Sequence, residues 1–508
     1  MRQLHDGYIM DVPYPHHFQR EMTPVWLNFV ATALGMASVD ISQPFDWCEL
    51  GCGQGLGSVL TAAANPAGRF VAVDFNAAHI AHGEQLARDG GVRNLRFVQA
   101  HFEQLAEQAS GQPARYDFIV LHGVYSWISE RNREAIQRFI AASLKPGGLV
   151  YLGYMAQPGL AFFSAPQRFL QRYAQTCEAT DSARRVTAGL AELRRLCDAQ
   201  AGFFAHQPEA RAYLQRAEQQ DPRYLAHELL NEHWVSLHVA DVIERMARSG
   251  CEYIGSATPL ENIDGLSLPA NVQAQVAETR DSALRETLKD LARNQSDRCD
   301  LYQRQPCPLD PQAHRQALLR QALIALPQAP AEGGLTFDTR IGAVQGSAQL
   351  FGPILRTLAH GPAGFAELLR VPALAGQASL LSPALQMLAW AGHAHPLLPG
   401  RIDSEGCQRL NRVLCEKALH GEGYGYLAAP TLGSAVPATL LEMAAARVLL
   451  DYPQLRGKAL KETVCALLAR CGLGTDTALA DLQAFERRTL PVWLRTGVVG
   501  GHSLSSKL

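Results

Sequence analysis

The sequence predicts an α/β protein: a Rossmann-like, doubly wound parallel sheet with a helical insertion, then a mainly helical, winged-helix-like carboxyl-terminal region. Three observations carry this. From Asp46 apolar strand patterns alternate with helical periods, as in βαβ units. Residues 46–57 read DWCELGCGQGLG, a short strand entering a glycine-dense turn, and RFVAVD closes on a lone carboxylate at Asp74, 25 positions after Glu49. Beyond residue 160 the strand signal stops and helical periodicity takes over. At 508 residues the chain is too long for one core, and length suggests about three domains. The segments are 1–160 for a ligand-binding core, 161–305 for a helical segment that includes closing elements of the sheet at 236–260, and 325–508 for the carboxyl-terminal domain.

The strands, in order, are DWCEL (46–50), RFVAVD (69–74), LRFVQA (95–100), YDFIVLHG (116–123) and GLVYLGY (148–154). Residues 58–64 suit a helix leaving the glycine turn, and 77–88 suit another that stops near Gly90 and Gly91. LysProGlyGly at 145–148 reads as a turn launching the fifth strand. Right-handed crossovers then give a parallel sheet with its ligand edge at 51–57, 74–76, 100–102, 122–127 and 154–159. Residues 161–230 carry helical periodicity, clearest in ARRVTAGLAELRRLCDAQ. HVADVIERMARSG then places Val239, Val242, Ile243 and Met246 on one face, with Gly250 as its stop, and CEYIGSA follows as a short strand. That helix and strand read as closing elements of the same sheet, so the helical block is an insertion; a separate second domain is the alternative. A linker rich in Pro and Gln (305–311 and 326–334) leads to helices with a short extended end, as in a winged-helix module. Between Ile341 and Gly400 the only arginines are Arg356 and Arg370, with no lysine, too few phosphate contacts for a DNA reader. The last hundred residues read as helical, with an apolar run at VPATLLEMAAARVLLDY and no motif.

Composition excludes other classes. Apolar residues make up 47 %, charged ones 19 %, and the net charge is −2. That is an ordinary globular balance, without the basic face that an obligatory nucleic-acid partner needs. Eleven cysteines with no CxxC pair read as reduced thiols in a cytoplasmic protein. The start lacks an export signal and no apolar stretch reaches the length of a membrane span, so no membrane insertion is expected. Ser506-Lys507-Leu508 matches a peroxisomal address and is read as a chance tripeptide. The seventeen histidines are scattered, HAH at 393–395 lacks a third ligand, and no metal site is expected.

The glycine turn narrows the ligand. A dinucleotide site needs GxGxxG, but from Gly51 the third position falls on Leu56 and from Gly53 on Ser58. What stands here is Gly51, Gly53 and Gly55, a GxGxG form that resembles motif I of class I S-adenosylmethionine (SAM) methyltransferases. Absent side chains let the backbone approach the amino-acid part and ribose of SAM. Asp74 is placed to accept hydrogen bonds from both ribose hydroxyls, with Phe75 beside it at the ligand edge. A bare strand-to-helix turn and a nicotinamide site are the competing readings. Methyl transfer is an in-line displacement in which alignment supplies most of the acceleration. An amine acceptor must first lose its proton, which calls for a desolvated aromatic or polar pocket. Tyr125 and Trp127 follow the fourth strand and Tyr154 ends the fifth, so all three are candidate pocket walls and acceptor contacts, against ordinary core packing. His122 is a candidate base or a structural histidine bonded to backbone. His101, after the third strand, stands where an acid near the adenine is usual and is a candidate adenine contact.

Several segments together resemble a known family. YPHHFQREMTPVWLNFVATALGM, ELGCGQGLGSVL, LHGVYSWIS and LGYMAQPG are similar to bacterial methyltransferases that carry a methyltransferase regulatory domain. The rickettsial-type protein-lysine methyltransferases of outer-membrane proteins belong to this group. YLAHELLNEHWVSLHVADVIERMARSGCEYIGSATPLENI and DSALRETLKDLARNQSDRCDLYQR resemble its regulatory segment. The resemblance covers roughly residues 8–305 and more loosely the carboxyl-terminal third. It implies a class I fold with SAM as cofactor, held by Glu49, Gly51, Gly53, Gly55 and Asp74. It places Tyr14 and residues 122–127 at the border of cofactor and acceptor, and implies a protein-lysine acceptor and homodimers formed through a helical element. The chain departs from the family pattern after the fifth strand, where Met155 replaces asparagine and Leu160 tryptophan, and at His101. The expected function is therefore a SAM-dependent methyltransferase acting on a protein lysine. The alternatives are a small-molecule or lipid acceptor, and a SAM-binding regulator or scaffold without transfer activity.

Overall fold

A computed structural model describes residues 4–330, 334–400, 402–474 and 478–500; Ser506, Lys507 and Leu508, together with part of the second linker stretch, lie outside them. The five expected strands form at β1 (Phe45–Leu50), β2 (Gly68–Asp74), β3 (Leu95–Gln99), β4 (Tyr116–His122) and β5 (Leu144–Met155). Two more, β6 (Cys251–Ser256) and β7 (Asp297–Arg304), complete a seven-stranded sheet in the order β3-β2-β1-β4-β5-β7-β6. The first five strands are parallel, and β7 runs antiparallel to both of its neighbours. Strand order reverses between β1 and β4, which opens a ligand crevice at their carboxyl ends.

Both faces of the sheet are covered, which is why its strands read as nearly continuous apolar runs. Trp47, Phe70, Phe118, Val120, Leu149 and Tyr151 pack on one side with helix α1 (Pro24–Ala33). Cys48, Leu50, Val71, Ile119, Leu121 and Leu152 pack on the other with the helix at Glu130–Ser143. Helix α2 (Leu56–Ala64) leaves the glycine turn directly, and α3 (Ala77–Gly90) is capped by Asn76 Oδ1, which accepts from the Ala78 N–H at 2.9 Å. Gly91 stops α3 at φ +68°, as its glycine pair predicted. Next come α4 (Phe102–Ala109) and α5 (Glu130–Ser143).

Residues 145–148 fall inside the bounds of β5 but pair with neither neighbour: the register jumps from Leu144 opposite Tyr116 to Leu149 opposite Phe118, and Gly147 takes φ +75°, so the expected turn stands as a bulge from which the paired part of the strand starts. β7 was not foreseen, because DRCDLYQR carries four charged residues and looks solvent-facing. It is buried because Arg298 pairs with Asp300 at 2.7 Å, Asp290 at 2.5 Å and Glu286 at 3.0 Å. A buried charge is tolerated when it is paired in this way.

Between β5 and β6 lie α6 (Ser164–Thr176), α7 (Ser182–Asp198), α8 (Pro208–Ala217) and α9 (Pro222–Leu229), around their own apolar cluster. Helix α10 (Val239–Arg248) returns to the sheet and buries Val239, Val242, Ile243 and Met246, while α11 (Ser282–Arg293) precedes β7. A small three-stranded sheet follows, with central strand β8 (Ala322–Ala325) between Ala363–Gly364 and Ala394–Pro396, against α12 (Ala348–His360) and α13 (Ala378–Trp390). Helix α14 (Ser404–Leu419) then lies on α2 and α3: Leu410 and Leu414 join Leu56, Leu60 and Leu86 in one cluster. The last hundred residues are not wholly helical, since Tyr426–Ala429 and Ser434–Pro437 pair as a hairpin. Asn65 Nδ2 donates to the Gly433 carbonyl of that hairpin at 2.9 Å.

Candidate cofactor and acceptor site

The crevice at the strand ends is a cavity bordered by the glycine turn, Glu49, Asp74, Phe75, His101, His122 and Trp127, roofed by the strap at residues 14–17. The turn's glycines differ in what they are for. A Cβ on Gly55 (φ +79°) would meet Phe97 at 2.5 Å, so that position is small for packing. A Cβ on Gly53 (φ +54°) would meet no protein atom within 4 Å; it would project into open space beside the cavity. That open space suits backbone approach by a ligand.

Asp74 sits at the carboxyl end of β2 and organises this turn. Its Oδ2 accepts from the Gly53 N–H at 2.9 Å and its Oδ1 from the Asn76 N–H at 2.8 Å. A carboxylate has about four acceptor positions, so two remain for the hydroxyls of a ribose. Glu49 does not face a ligand in the same way. Its carboxylate accepts from the Ser58 hydroxyl at the start of α2 and braces strand against helix. Burial pushes it up to about 7, opposed by the Ser58 bond and reinforced by Asp74. Phe75 and His101 stack with ring centres 5.7 Å apart, and Tyr8 meets Phe75 edge-on at 5.8 Å. Phe75 and His101 offer stacked ring faces suited to a purine, with Tyr8 set at a right angle beside them.

The strap closes the opposite side. Gln54, inside the glycine turn, donates through Nε2 to the Tyr14 carbonyl, tying strap to turn. Behind the strap a second chamber adjoins the first, and Tyr14, Pro15, His16, His17, His122, Gly123 and Trp127 border both. Its deeper walls are Tyr154 and Met155 from the end of β5, Tyr224 and Glu228 from α9, and Asp297, Arg298 and Cys299 from β7. Glu228 bonds to the Tyr224 hydroxyl, one helical turn before it. Burial pushes its carboxyl up to about 8, against that bond and with a small addition from Asp297.

The predicted residues fare differently. Trp127 lies at the junction of the two spaces, 7 % exposed, and its buried indole N–H has no protein partner. His122 also lies there; its Nδ1 is 2.8 Å from the Tyr151 hydroxyl, which donates to Cys299 Sγ at 3.1 Å. With that hydroxyl committed as a donor, Nδ1 carries the hydrogen and Nε2 keeps a lone pair. Burial lowers His122 to about 4, so the ring is neutral. Tyr154 lines the second chamber, but its hydroxyl donates to Asp300 at 2.8 Å and is committed to the β7 ion network. Tyr125 lines neither space. The backbone turns at Gly123 and between Val124 and Trp127, which sends Tyr125 into the core against α5. There it is 1 % exposed and its hydroxyl accepts from Gln137 Nε2 at 2.9 Å. Its expected place as a pocket wall is corrected accordingly.

Sequence reasoning missed Tyr8, Gln54, Tyr224 and Glu228. Tyr224 and Glu228 left a trace: in RYLAHELL an acid and a phenol share the spacing of buried Leu225 and Leu229. Among the described residues no cluster of three metal-ligating side chains occurs, and no helix is long and apolar enough to cross a membrane.

Comparison with known proteins adds to this geometry. A family model described as a methyltransferase domain matches residues 48–150, and one described as a predicted methyltransferase regulatory domain matches residues 221–304. The uncharacterized protein sll1526 of Synechocystis is 30 % identical over 444 residues, which is 86 % of each chain. The uncharacterized protein RP028 of Rickettsia prowazekii is 26 % identical over 149 residues, 29 % of this chain and 58 % of that one. Among solved structures, PKMT2 from Rickettsia typhi superposes with a TM-score of 0.69 at 17 % identity, over 94 % of this chain and 97 % of that one. The complex of PKMT2 with AdoHcy gives 0.65 at 16 % identity, over 90 % and 98 %. At such identities the likeness speaks for the fold.

Proposed function

Because the chain belongs to the SAM-dependent methyltransferases that carry a methyltransferase regulatory domain, we propose that its methyl acceptor is a lysine side chain of a protein. The observation that carries this reading is the second chamber, which adjoins the cofactor cavity and is walled by Tyr14, Trp127, Tyr154 and Tyr224. Aromatic faces attract alkylammonium groups, and contact with them strips water from an amine, the two requirements of an amine acceptor. The fold likeness to PKMT2 over nearly the whole of both chains supports the same reading.

When bound, SAM supplies a methyl group made electrophilic by its sulfonium. The chain's own residues orient and enclose. Asp74 would grip the sugar while keeping the Gly53 and Asn76 N–H groups in register. Phe75 and His101 would flank the base, and the Tyr14–His17 strap would separate the reacting end from solvent. Neutral His122 offers Nε2 as an acceptor at the junction and adds no positive charge there.

Incubation with methyl-tritiated SAM and a cell lysate tests the acceptor. Label in protein bands, recovered as methylated lysine after hydrolysis, is the expected result. Label recovered in the organic extract would replace the lysine with a lipid or small molecule. SAM binding without any label would leave a scaffold.

A further inference from the structure

We propose that Glu228 is the residue that receives the acceptor amine: its carboxylate holds the incoming ammonium in the aromatic chamber and takes the proton that must leave before the nitrogen attacks. The inference rests on the amine-acceptor reading and adds to it a named recognition group and base. It stands on placement. Glu228 projects from α9 into a chamber that opens onto the cofactor cavity, and no basic side chain among the described residues bonds to it. The guanidinium of Arg298, on the same wall, is taken up by Asp300, Asp290 and Glu286. The groups that face Glu228 are the phenols of Tyr224 on its own helix, Tyr8 and Tyr14 on the amino-terminal segment and Tyr213 on α8, with Asp297 at the start of β7. Such a setting holds a carboxyl without its counter-ion, and an alkylammonium would supply the missing charge.

The chemistry is balanced. One N–H bond of the ammonium breaks and an Oε–H bond forms on Glu228. The nitrogen keeps the electron pair and uses it to form the N–C bond as the C–S bond opens, the sulfur leaving with that bond's electrons. Glu228 then returns its proton to water through the chamber mouth, so each cycle releases one proton. A carboxyl raised to about 8 suits this exchange, because a base works best with a pKa near the operating pH. Tyr224 complements it as a hydroxyl donor that steadies the carboxylate between turnovers.

The test uses n-butylammonium chloride, a lysine side-chain mimic, titrated calorimetrically into full-length protein saturated with S-adenosylhomocysteine. Wild type binds, with affinity rising between pH 7 and 9 as the carboxyl ionises (about one unit either side of 8). Glu228→Gln weakens binding at least tenfold (about 1.4 kcal/mol) while S-adenosylhomocysteine binds as before. Glu228→Asp, which keeps the charge but shortens the reach, falls between. Equal n-butylammonium affinity in wild type and Glu228→Gln, or no binding by wild type, overturns the assignment. The two readings fail separately. Label in protein lysines with an unaltered Glu228→Gln variant removes Glu228 and keeps the acceptor. Label in lipid removes the lysine, while the titration still decides what Glu228 binds.

Discussion

Gly53 and Asp74 are the residues at which the proposed cofactor contact is most directly tested. A side chain at Gly53 meets no protein atom within 4 Å, whereas one at Gly55 strikes Phe97 at 2.5 Å. Gly53→Val should therefore yield a folded protein, destabilised by about 1–2 kcal/mol for its positive φ, that no longer binds SAM in a calorimeter. Gly55→Val should fail to fold. Wild-type SAM affinity in Gly53→Val would show that the nucleoside does not lie over this bend. Asp74→Ala removes the acceptor for the Gly53 and Asn76 N–H groups as well as the one that would meet the sugar. SAM affinity should drop at least tenfold, about 1.4 kcal/mol, and unchanged affinity in the folded variant would refute the assignment. Titration gives a third test. His16, His122, His227 and His395 are each lowered to about 4 by burial, so each adds stability as pH rises from there through the ordinary histidine value. Glu49 and Glu228 are raised to about 7 and about 8, so their contributions are full at acid pH and disappear as pH climbs through those values. The two signs cross between, and the ligand-free melting temperature should peak near about pH 6.5. A steady rise from pH 6 to 9 would contradict the buried carboxyls.

Elements were legible in the sequence wherever their pattern followed from their own packing. β1 to β5 bury apolar residues on both faces and α10 on one, and their runs or periods gave them away. β7 was illegible because its burial depends on partners supplied elsewhere. Arg298 is satisfied by Glu286 and Asp290 from α11 as well as by Asp300 on its own strand. No single-segment rule converts a charged strand into a buried one. The same network reaches the site, since Asp300 also accepts from Tyr154 at 2.8 Å and so fixes a wall of the chamber. Arg298→Met should consequently cost more than an ordinary core change. Asp290 and Asp300 lose their counter-ion in a buried setting, while Glu286 keeps Lys289 at 3.2 Å; for such a loss about 3–5 kcal/mol is typical. Denaturant unfolding reads this directly; a loss under 1 kcal/mol would mean that the carboxyls are neutral in the wild type.

The whole molecule departs most from what the sequence could say, because its carboxyl-terminal third carries no motif yet rests on the cofactor loop. Cofactor-side residues were readable as a local string of glycines and an acid. The chamber draws on α9 and β7, far apart in sequence, and the contact from the last third is farther still. Tyr424, 5 % exposed, lies against His16 with ring centres 4.1 Å apart and the planes nearly parallel. Its hydroxyl is 3.0 Å from His82 Nε2, and His82 Nδ1 is 2.8 Å from the Gln54 carbonyl. A carbonyl only accepts, so Nδ1 donates and Nε2 accepts from the tyrosine. The chain of bonds runs from the carboxyl-terminal third through α3 to the glycine turn, and Gln54 continues it to the Tyr14 strap. Through these contacts Tyr424 would position a site that it does not touch. Tyr424→Phe breaks the bond to His82 but keeps the stack on His16, and Tyr424→Ala breaks both. SAM affinity should fall about fivefold (about 1 kcal/mol for one lost hydrogen bond) in Tyr424→Phe and further in Tyr424→Ala. A purely structural tyrosine would lower the melting temperature of both variants and leave calorimetric SAM affinity unchanged in the folded protein. A graded loss of affinity at constant fold would instead show that the carboxyl-terminal third sets the position of the glycine turn.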